Sequence, residues 1–112
     1  MKIEQAVILA AGEGQRLRPL TAHKPKVMIP IANKPILQYV IEALARNNVR
    51  RIVLVVGYRR EQVMDFFEGG EKFGVEIEYV FQNLQLGTGH ALKQAQGRVK
   101  GIFLTLSGDN II

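Results

Sequence analysis

Residues 6–11 form an uninterrupted apolar segment, Ala-Val-Ile-Leu-Ala-Ala, which is followed directly by Gly12. Residues 52–56 repeat this arrangement, because Ile-Val-Leu-Val-Val is followed by Gly57. A strand with one face in water alternates apolar and polar residues, whereas a strand buried on both faces is apolar throughout. The two segments therefore predict central strands of a parallel sheet that is covered on both faces.

Helical patterns alternate with these strands. In each pattern, apolar residues recur every three or four positions until polar residues or glycines end it. The first predicted helix begins at Pro35, with Asn33 as a nearby cap, and ends before Asn47. The second covers residues 60–68, and a short third helix covers residues 88–96.

Two further strands complete the predicted sheet. Residues 75–81 alternate, with every second side chain from Val75 to Phe81 on one apolar face, which is typical of a strand near a sheet edge. Residues 102–106 form a fourth strand. Strands that alternate with helices are joined by right-handed crossovers. The predicted fold class is α/β: a Rossmann-like doubly wound parallel sheet with helices on both faces, in three α/β/α layers, with strand order 3-2-1-4. Ligands bind such a sheet beyond the carboxyl ends of its strands.

The composition excludes several classes of protein. The chain has 112 residues, of which 47% are hydrophobic, and this suits one domain with a core. No apolar run approaches the ~18 residues that span a bilayer. The absence of cysteine excludes disulfides, thiolate metal sites and a cysteine nucleophile. We therefore expect a cytoplasmic protein with no membrane partner.

The positive charge is concentrated in one stretch. The chain has 15 lysine and arginine residues and 10 acidic residues, a formal net charge of +5. Five basic side chains lie between Gly12 and Pro35, with one acid and no aromatic residue: Arg16, Arg18, Lys24, Lys26 and Lys34. Proteins that bind single-stranded nucleic acid stack aromatic side chains on the bases. The stretch therefore favours a small polyanion, such as nucleotide phosphates. The arginines that flank the second strand are expected to be solvated: Arg50, Arg51, Arg59 and Arg60.

The loop after the first strand carries candidate phosphate ligands. Gly12 and Gly14 allow backbone amides to approach phosphate oxygens closely. The loop is neither a dinucleotide fingerprint, since Leu17 replaces the third glycine, nor a P-loop. Arg16 and Lys26 are cations suited to phosphate. The alternative is a tight turn and a solvated basic loop that bind no ligand.

A carboxylate and a polar loop follow later strands. Asp109 comes directly after a glycine, and magnesium is typically held by one or two carboxylates together with substrate phosphates. The alternative is a turn aspartate that accepts a hydrogen bond from its own backbone. The amides of residues 82–90 are suited to a base edge, with Thr88 as a helix cap as the alternative. His23 and His90 lack catalytic partners at a suggestive spacing.

The segment from Leu9 to Thr21, Leu-Ala-Ala-Gly-Glu-Gly-Gln-Arg-Leu-Arg-Pro-Leu-Thr, closely resembles the signature of sugar-1-phosphate nucleotidylyltransferases. The further matching residues keep the order and spacing of that family: Lys24-Pro25-Lys26, Pro30, Lys34-Pro35, Gln82, Gly87-Thr88 and Gly108-Asp109. The resemblance covers essentially the whole chain. It implies transfer of a nucleotidyl group from a nucleoside triphosphate to a sugar 1-phosphate, with release of pyrophosphate.

The resemblance also implies a role for each matching residue. Nucleotide contacts would come from Leu9, Ala10, Ala11, Gly12, Gly14, Gln15, Gln82, Gly87 and Thr88, of which the last three would recognise the base. Arg16 and Lys26 would bind phosphates and stabilise the transition state. Asp109 would ligate Mg²⁺ as the cofactor ion. No general base is implied, because the attacking sugar phosphate oxygen is already anionic.

The identities of the base and the sugar are less constrained. Residues 85–91 look most like uridylyltransferases that act on N-acetylglucosamine 1-phosphate, whereas residues 18–26 are more like thymidylyl- and guanylyltransferases. We favour UTP and N-acetylglucosamine 1-phosphate, with dTTP and glucose 1-phosphate or GTP and mannose 1-phosphate as alternatives. The mixture resembles archaeal-type enzymes. A non-catalytic, regulatory nucleotide-binding module and a nucleic-acid-binding domain stay open as other classes.

The length departs from the family pattern. Family members have a second metal-binding carboxylate and a sugar-binding half far downstream of the Gly-Asp pair, but this chain ends at Ile112, three residues after Asp109. We therefore expect residues 1–112 to be the N-terminal nucleotide-binding portion of a catalytic domain, inactive alone. The full-length protein is expected to be a homo-oligomer with no nucleic-acid partner.

Overall fold

Four parallel strands form the main sheet of the described part of the chain. The computed structural model describes residues 3–11 and 25–82 and the backbone of residues 104–107. In chain order the elements are β1 (Gln5–Ala10), β2 (Pro30–Ile31), β3 (Lys34–Pro35), α1 (Ile36–Arg46), β4 (Arg51–Val56), α2 (Arg60–Phe67), β5 (Glu76–Phe81) and β6 (Leu104–Ser107). Short 3₁₀ helices cover Lys26–Met28 and Glu71–Phe73.

The strands of the main sheet lie in the order β5-β4-β1-β6. Numbered along the chain, this is the predicted order 3-2-1-4, which is confirmed. The register is level where the strands end, because Ala10 pairs with Val56 and Val56 pairs with Phe81. On the other side of β1, Ser107 pairs with Leu9. The strand ends therefore meet at one edge of the sheet, which we call the carboxyl edge.

Both faces of the central strands are buried, as their uniformly apolar sequences predict. Ile8 and Leu54 face one core, and Val7 and Val55 face a second core on the opposite side of the sheet. All four side chains are completely buried. This is the expected state of a parallel sheet that is covered on both faces.

β5 lies at an edge of the described sheet, and the predicted alternation holds from residue 75 to residue 79 but breaks at Val80 and Phe81. Ile77 and Val80 are buried on opposite faces, whereas Glu76 and Glu78 are exposed. Charged side chains on an edge strand disfavour pairing with another chain. Phe81, which was predicted to lie on the apolar face, is 44% exposed.

α1 begins one residue later than predicted. Pro35 has extended backbone angles (φ −58°, ψ 145°) and belongs to β3, so Ile36 is the first helical residue. Asn33 does not cap the helix, because it lies in the preceding turn with φ 71°. The N–H of Ile36 donates instead to the carbonyl of Ile29 at 3.1 Å. The backbone of Ile29, directly before β2, therefore supplies the partner that a capping side chain was expected to provide.

The two described α-helices pack on the same face of the sheet. Leu37 and Ile41 of α1 and Val63 and Phe67 of α2 belong to the core that contains Ile8. Successive right-handed crossovers in one direction along a sheet place their helices on one face, which accounts for this arrangement. The helix predicted over residues 88–96, and with it the helix layer predicted for the second face, lies outside the described residues. None of the described helices has the length and apolarity that crossing a membrane requires.

Candidate functional site

Three residues that directly follow strands meet at the carboxyl edge: Ala11, Gly57 and Gln82. The N–H of Gln82 donates to the carbonyl of Val56 at 2.7 Å, and the N–H of Tyr58 donates to the carbonyl of Ala11 at 3.4 Å. The segments that leave β1, β4 and β5 therefore start side by side. In open parallel sheets, ligands bind in this position, outside the carboxyl ends of the strands.

Gly57 sets how closely these segments approach one another. A Cβ atom at this position would lie 2.6 Å from the carbonyl oxygen of Gln82 and 3.1 Å from the Cβ of Ala11. The neighbouring atoms belong to backbone or to a short side chain, so they cannot turn away. From the sequence, Gly57 was predicted only to end β4. A glycine directly after each of two buried parallel strands was the signal that points to close packing here.

Gln82 places an amide at this edge. With 4% of its surface exposed, it is the one buried polar side chain in the part of the chain that the structure describes. None of the buried side-chain nitrogen or oxygen atoms in that part lacks a hydrogen-bond partner. Burial of an amide without hydrogen bonds would cost roughly 1–3 kcal/mol. A buried amide therefore favours the orientation in which its hydrogen bonds are made. An amide offers both a donor and an acceptor, as recognition of a nucleobase edge requires.

The three residues at the end of β1 that were predicted to contact nucleotide have apolar side chains. Ala10 and Ala11 are 2% and 6% exposed, and Leu9 packs partly buried against the second core. These side chains offer no polar group to a ligand. Polar contacts from this segment would therefore come from its backbone, as the resemblance implies.

Lys26 opens the 3₁₀ helix Lys26–Met28, and the next two residues anchor its backbone. Val27 and Met28 are 3% and 8% exposed and belong to the core under the α-helices. The N–H of Met28 donates to the carbonyl of Pro25 at 2.9 Å, and the N–H of Ile29 donates to the carbonyl of Lys26 at 3.3 Å. The turn therefore fixes the backbone from which the candidate phosphate-binding ammonium extends.

Lys34 contributes to the fold and leaves the set of cations predicted to face a polyanion. Its Nζ lies 3.1 Å from Oε1 of Glu42 and 5.4 Å from the centroid of the Tyr39 ring. A hydrogen bond from Gln38 and the charge of Lys34 lower the pKa of Glu42 below its ordinary value, so this carboxylate remains ionised. The charge of Lys34 is therefore balanced by α1, a contact that the sequence analysis missed.

The arginines that flank β4 are exposed, as predicted: Arg50, Arg51, Arg59 and Arg60. Two of them also make contacts near the start of α2. Arg59 Nη1 lies 3.6 Å from Oε1 of Glu61, and the guanidinium of Arg60 lies 4.8 Å from the centroid of the Phe81 ring. Exposed ion pairs of this kind contribute roughly 0–1 kcal/mol, so these contacts orient the side chains more than they stabilise the fold.

The remaining predicted site residues lie outside the described part of the chain: Gly12, Gly14, Gln15, Arg16, Gly87, Thr88 and Asp109. Within residues 3–11 and 25–82, no group of three or more histidine or acidic side chains is arranged to hold a metal ion. The three residues that meet at the carboxyl edge carry no carboxylate, which is the ligand that magnesium prefers. The described residues therefore define no geometry for a magnesium site, and Asp109 stays a predicted ligand.

A cleft of about 300 Å³ lies at the opposite, amino edge of the sheet. It is lined by Gln5, Arg51, Ile52, Val53, Glu76, Ile77 and Glu78. The loops that carry the candidate residues leave the other edge, where ligands of parallel sheets bind. The cleft is therefore separate from the candidate site.

The fold and the site define an α/β protein with a Rossmann-like parallel sheet, whose candidate ligand site lies at the carboxyl edge of that sheet. A family model described as nucleotidyl transferase matches residues 5–112. The chain belongs to the nucleotidyl transferase family.

Two relatives are similar to this chain over nearly its whole length. It is 53% identical over 106 residues to the bifunctional protein GlmU of Methanococcus vannielii, a match to 95% of this chain and 24% of that protein. It is 42% identical over 107 residues to the UTP–glucose-1-phosphate uridylyltransferase AglF of Haloferax volcanii, a match to 96% of this chain and 44% of that protein.

A solved structure shares the fold. UDP-glucose pyrophosphorylase complexed with UDP-glucose matches 98% of this chain and 47% of that one, with a TM-score of 0.85 and 27% sequence identity. The chain therefore spans between about a quarter and about half of the length of these relatives.

Proposed function

We propose that the chain is the nucleotide-binding part of a sugar-1-phosphate nucleotidyltransferase. The whole protein would transfer a nucleotidyl group from a nucleoside triphosphate to a sugar 1-phosphate, giving a nucleoside-diphosphate sugar and pyrophosphate. The observation that carries this proposal is the meeting of Ala11, Gly57 and the buried Gln82 at the carboxyl edge, in a member of the nucleotidyl transferase family. The activities named for AglF and for the UDP-glucose pyrophosphorylase support it.

The reaction needs little from protein side chains beyond charge and position. An oxygen of the sugar phosphate attacks the α-phosphorus of the triphosphate, and a new P–O bond forms. The bond from the α-phosphorus to the bridging oxygen breaks, and its electron pair leaves with pyrophosphate. Since the attacking oxygen is already anionic, no side chain has to remove a proton. Catalysis therefore depends on positioning two polyanions and neutralising charge at the α-phosphate.

Lys26 and Arg16 are proposed to supply that positive charge. The anchoring of the turn that carries Lys26, through the buried Val27 and Met28, supports a fixed cation at this position. Arg16 can clamp a phosphate through two parallel hydrogen bonds. Asp109, together with substrate phosphates, would hold Mg²⁺. Magnesium would supply further neutralisation of phosphate charge when bound.

Gln82 is proposed to read the base, with Gly87 and Thr88. The uracil edge presents an N–H donor between two carbonyl acceptors, and an amide can pair with one donor and one acceptor there. Thymine presents the same edge, so Gln82 alone would not separate UTP from dTTP. We favour UTP because residues 85–91 resemble uridylyltransferases and because the name of AglF specifies UTP. N-acetylglucosamine 1-phosphate is the favoured acceptor. The alternative pairs are dTTP with glucose 1-phosphate and GTP with mannose 1-phosphate.

The proposal extends to the setting of the whole protein. Residues 1–112 would be the N-terminal nucleotide-binding portion, and the sugar-binding half would belong to the length of the relatives that this chain does not cover. The protein would work in the cytoplasm, where nucleoside triphosphates are supplied, as a homo-oligomer without a nucleic-acid or membrane partner.

Calorimetry with UTP, dTTP and GTP, each with Mg²⁺, tests the nucleotide-binding part of the proposal. We expect UTP to bind most tightly. Pyrophosphate release from UTP and N-acetylglucosamine 1-phosphate by the full-length protein then separates an enzyme from a regulatory nucleotide-binding module. Salt-sensitive binding to random oligonucleotides, without binding of any nucleoside triphosphate, would overturn the proposal in favour of nucleic-acid binding.

A further inference from the structure

A short hairpin connects the turn that carries Lys26 to α1. Its strands are paired through Pro30 with Pro35 and through Ile31 with Lys34. The two residues between them, Ala32 and Asn33, both have positive φ, 51° and 71°. This is the geometry of a two-residue hairpin turn whose twist matches that of its strands. The path from Lys26 to α1 is therefore short and defined.

Side chains of α1 hold this hairpin by contacts that the sequence pattern does not reveal. The hydroxyl of Tyr39 donates to the carbonyl of Ile31 at 2.6 Å. Lys34 Nζ donates to Glu42 Oε1 at 3.1 Å and lies over the ring of Tyr39. We call Tyr39, Lys34 and Glu42 the α1 clamp. Tyr39 is its central member, because it contacts both strands of the hairpin.

The clamp restrains the Lys26 turn from its C-terminal side. Ile31 is five positions after Lys26, and the intervening Ile29 both donates to the carbonyl of Lys26 and accepts from the N–H of Ile36. The buried Val27 and Met28 restrain the turn from within. The turn is therefore joined to the core by its buried side chains and to α1 by the clamp.

We propose that Tyr39 is a positioning residue for Lys26, acting through the carbonyl of Ile31 and the backbone of the 25–31 segment. The inference rests on the proposed function in that it takes Lys26 to bind a nucleotide phosphate. The position of its Cα and the direction of its Cα–Cβ bond decide which points the ammonium of a lysine can reach. Small displacements of a charged group that contacts substrate have large effects on binding and rate.

The experiment compares UTP binding, with Mg²⁺, among variants of the chain by calorimetry. Tyr39→Phe removes the hydroxyl and keeps the ring over which Lys34 lies. Lys26→Ala removes the ammonium, and the double variant removes both. Tyr79→Phe is the matched control, because the hydroxyl of Tyr79 also donates to a backbone carbonyl at 2.6 Å, that of Glu68, on a different part of the fold. Thermal melting of each variant records the loss of stability separately.

We expect Tyr39→Phe to weaken UTP binding about tenfold, the effect of losing much of one charge-assisted hydrogen bond. The double variant should bind UTP no more than about twofold more weakly than Lys26→Ala alone, because Tyr39 acts through Lys26. Tyr79→Phe should lower the melting temperature to a similar extent and leave UTP binding within about twofold of that of the unmodified chain.

Each other outcome is decisive. Normal UTP binding by Tyr39→Phe would overturn the inference and leave the proposed function intact. The inference would also be overturned if the losses of UTP affinity in Tyr39→Phe and Lys26→Ala multiplied in the double variant. Equal losses of UTP affinity in Tyr39→Phe and Tyr79→Phe would overturn it too, since either result indicates a purely structural role of Tyr39. If the unmodified chain does not bind UTP, or if Lys26→Ala binds it normally, the role assigned to Lys26 fails and the inference fails with it.

Discussion

At Gly57 the absence of a side chain determines how closely three segments of backbone approach at the carboxyl edge. A Cβ atom at this position would lie only 2.6 Å from the carbonyl oxygen of Gln82 and 3.1 Å from the methyl group of Ala11. Gln82 in turn is tied to the end of β4 by its N–H. The position of the buried amide therefore depends on a residue that makes no side-chain contact itself.

Gly57→Ala is expected to destabilise the chain by ~1–3 kcal/mol, because overpacking forces the backbone to shift. Urea denaturation measures this loss. The variant should also bind UTP more weakly, since the shift moves Gln82. Gly69→Ala is the matched control, because the nearest atom to its added Cβ is Oε1 of Glu71 at 3.8 Å. Equal stability of the two variants would show that Gly57 is not tightly packed.

Lys26→Ala is expected to lower the rate of nucleotidyl transfer by the full-length protein by ~10²–10³, the loss typical of removing one preorganised donor. Steady-state pyrophosphate release measures the rate. Lys72→Ala is the control, because that side chain is 72% exposed and forms a surface ion pair with Glu68. Near-normal turnover by Lys26→Ala would contradict the assignment of a catalytic ammonium.

At the scale of elements, the junction between α2 and β5 shows how a helix end is fixed from outside the helix. Glu68, with φ 47°, and Gly70, with φ 86°, turn the chain away from α2. A Cβ at Gly70 would lie 2.8 Å from the carbonyl of Val75, so the glycine is required there. The hydroxyl of Tyr79 donates to the carbonyl of Glu68 at 2.6 Å. Tyr79 of β5 therefore stabilises Glu68, a non-glycine residue that has an unfavourable φ at the end of α2.

Tyr79→Phe is expected to destabilise the fold by about 1 kcal/mol, the net value of one hydrogen bond. Burial, with a smaller effect of the Glu68 charge, raises the pKa of Tyr79 from 10.0 to about 12. The unfolded chain therefore ionises this phenol at a lower pH than the folded chain does. The stabilising contribution is complete below pH 10 and is lost as the pH rises from 10 towards 12.

Denaturation of the unmodified chain and of Tyr79→Phe across this pH range measures the effect. The difference in stability between the two proteins should shrink above pH 10. Taking this difference removes the contribution of other groups, because they titrate in both proteins. A difference that stays constant from pH 8 to pH 12 would contradict a raised pKa of Tyr79.

At the scale of the whole molecule, ion pairs within the fold engage three of the basic side chains that the structure describes and leave the net charge of +5 unchanged. Lys34 is paired with Glu42, Arg59 with Glu61 and Lys72 with Glu68. These pairs lie on the helices and hairpin, where they contribute to structure. The concentration of basic residues between Gly12 and Pro35 still favours a compact, phosphate-rich ligand over an extended nucleic acid.

UTP with Mg²⁺ is expected to stabilise the whole chain by mass action, by about 2.7 kcal/mol at a concentration 100 times Kd. For a domain of this size, such a stabilisation raises Tm by ~10 °C or more. Thermal melting at increasing UTP concentrations measures it, with inorganic phosphate as the control. A Tm that is equally insensitive to UTP and to phosphate would contradict nucleotide binding. The chain alone should release no pyrophosphate from UTP and N-acetylglucosamine 1-phosphate.

Much of the fold was predictable because its signals are local. The uniform apolar character of β1 and β4 predicts strands buried on both faces, and the alternation of β5 predicts an edge. The start of α1 was predicted one residue early, since Pro35 suits the first turn of a helix as well as the end of a hairpin strand. Whether Pro35 ends β3 or begins α1 depends on its pairing with Pro30, which the local sequence does not specify.

The sequence by itself determined the class of fold and which segments form its buried strands and helices, because strand burial and helical periodicity are properties of neighbouring residues. The strand order was predicted from the common order of that fold class, and the candidate residues were predicted from motif spacing. Only the tertiary structure decided which of these groups meet. The approach of Gly57 to Gln82, the pairing of Lys34 with Glu42 and the bond from Tyr39 to Ile31 each join separate elements. Such contacts depend on how the elements pack against a shared core, and packing is a property of the whole molecule.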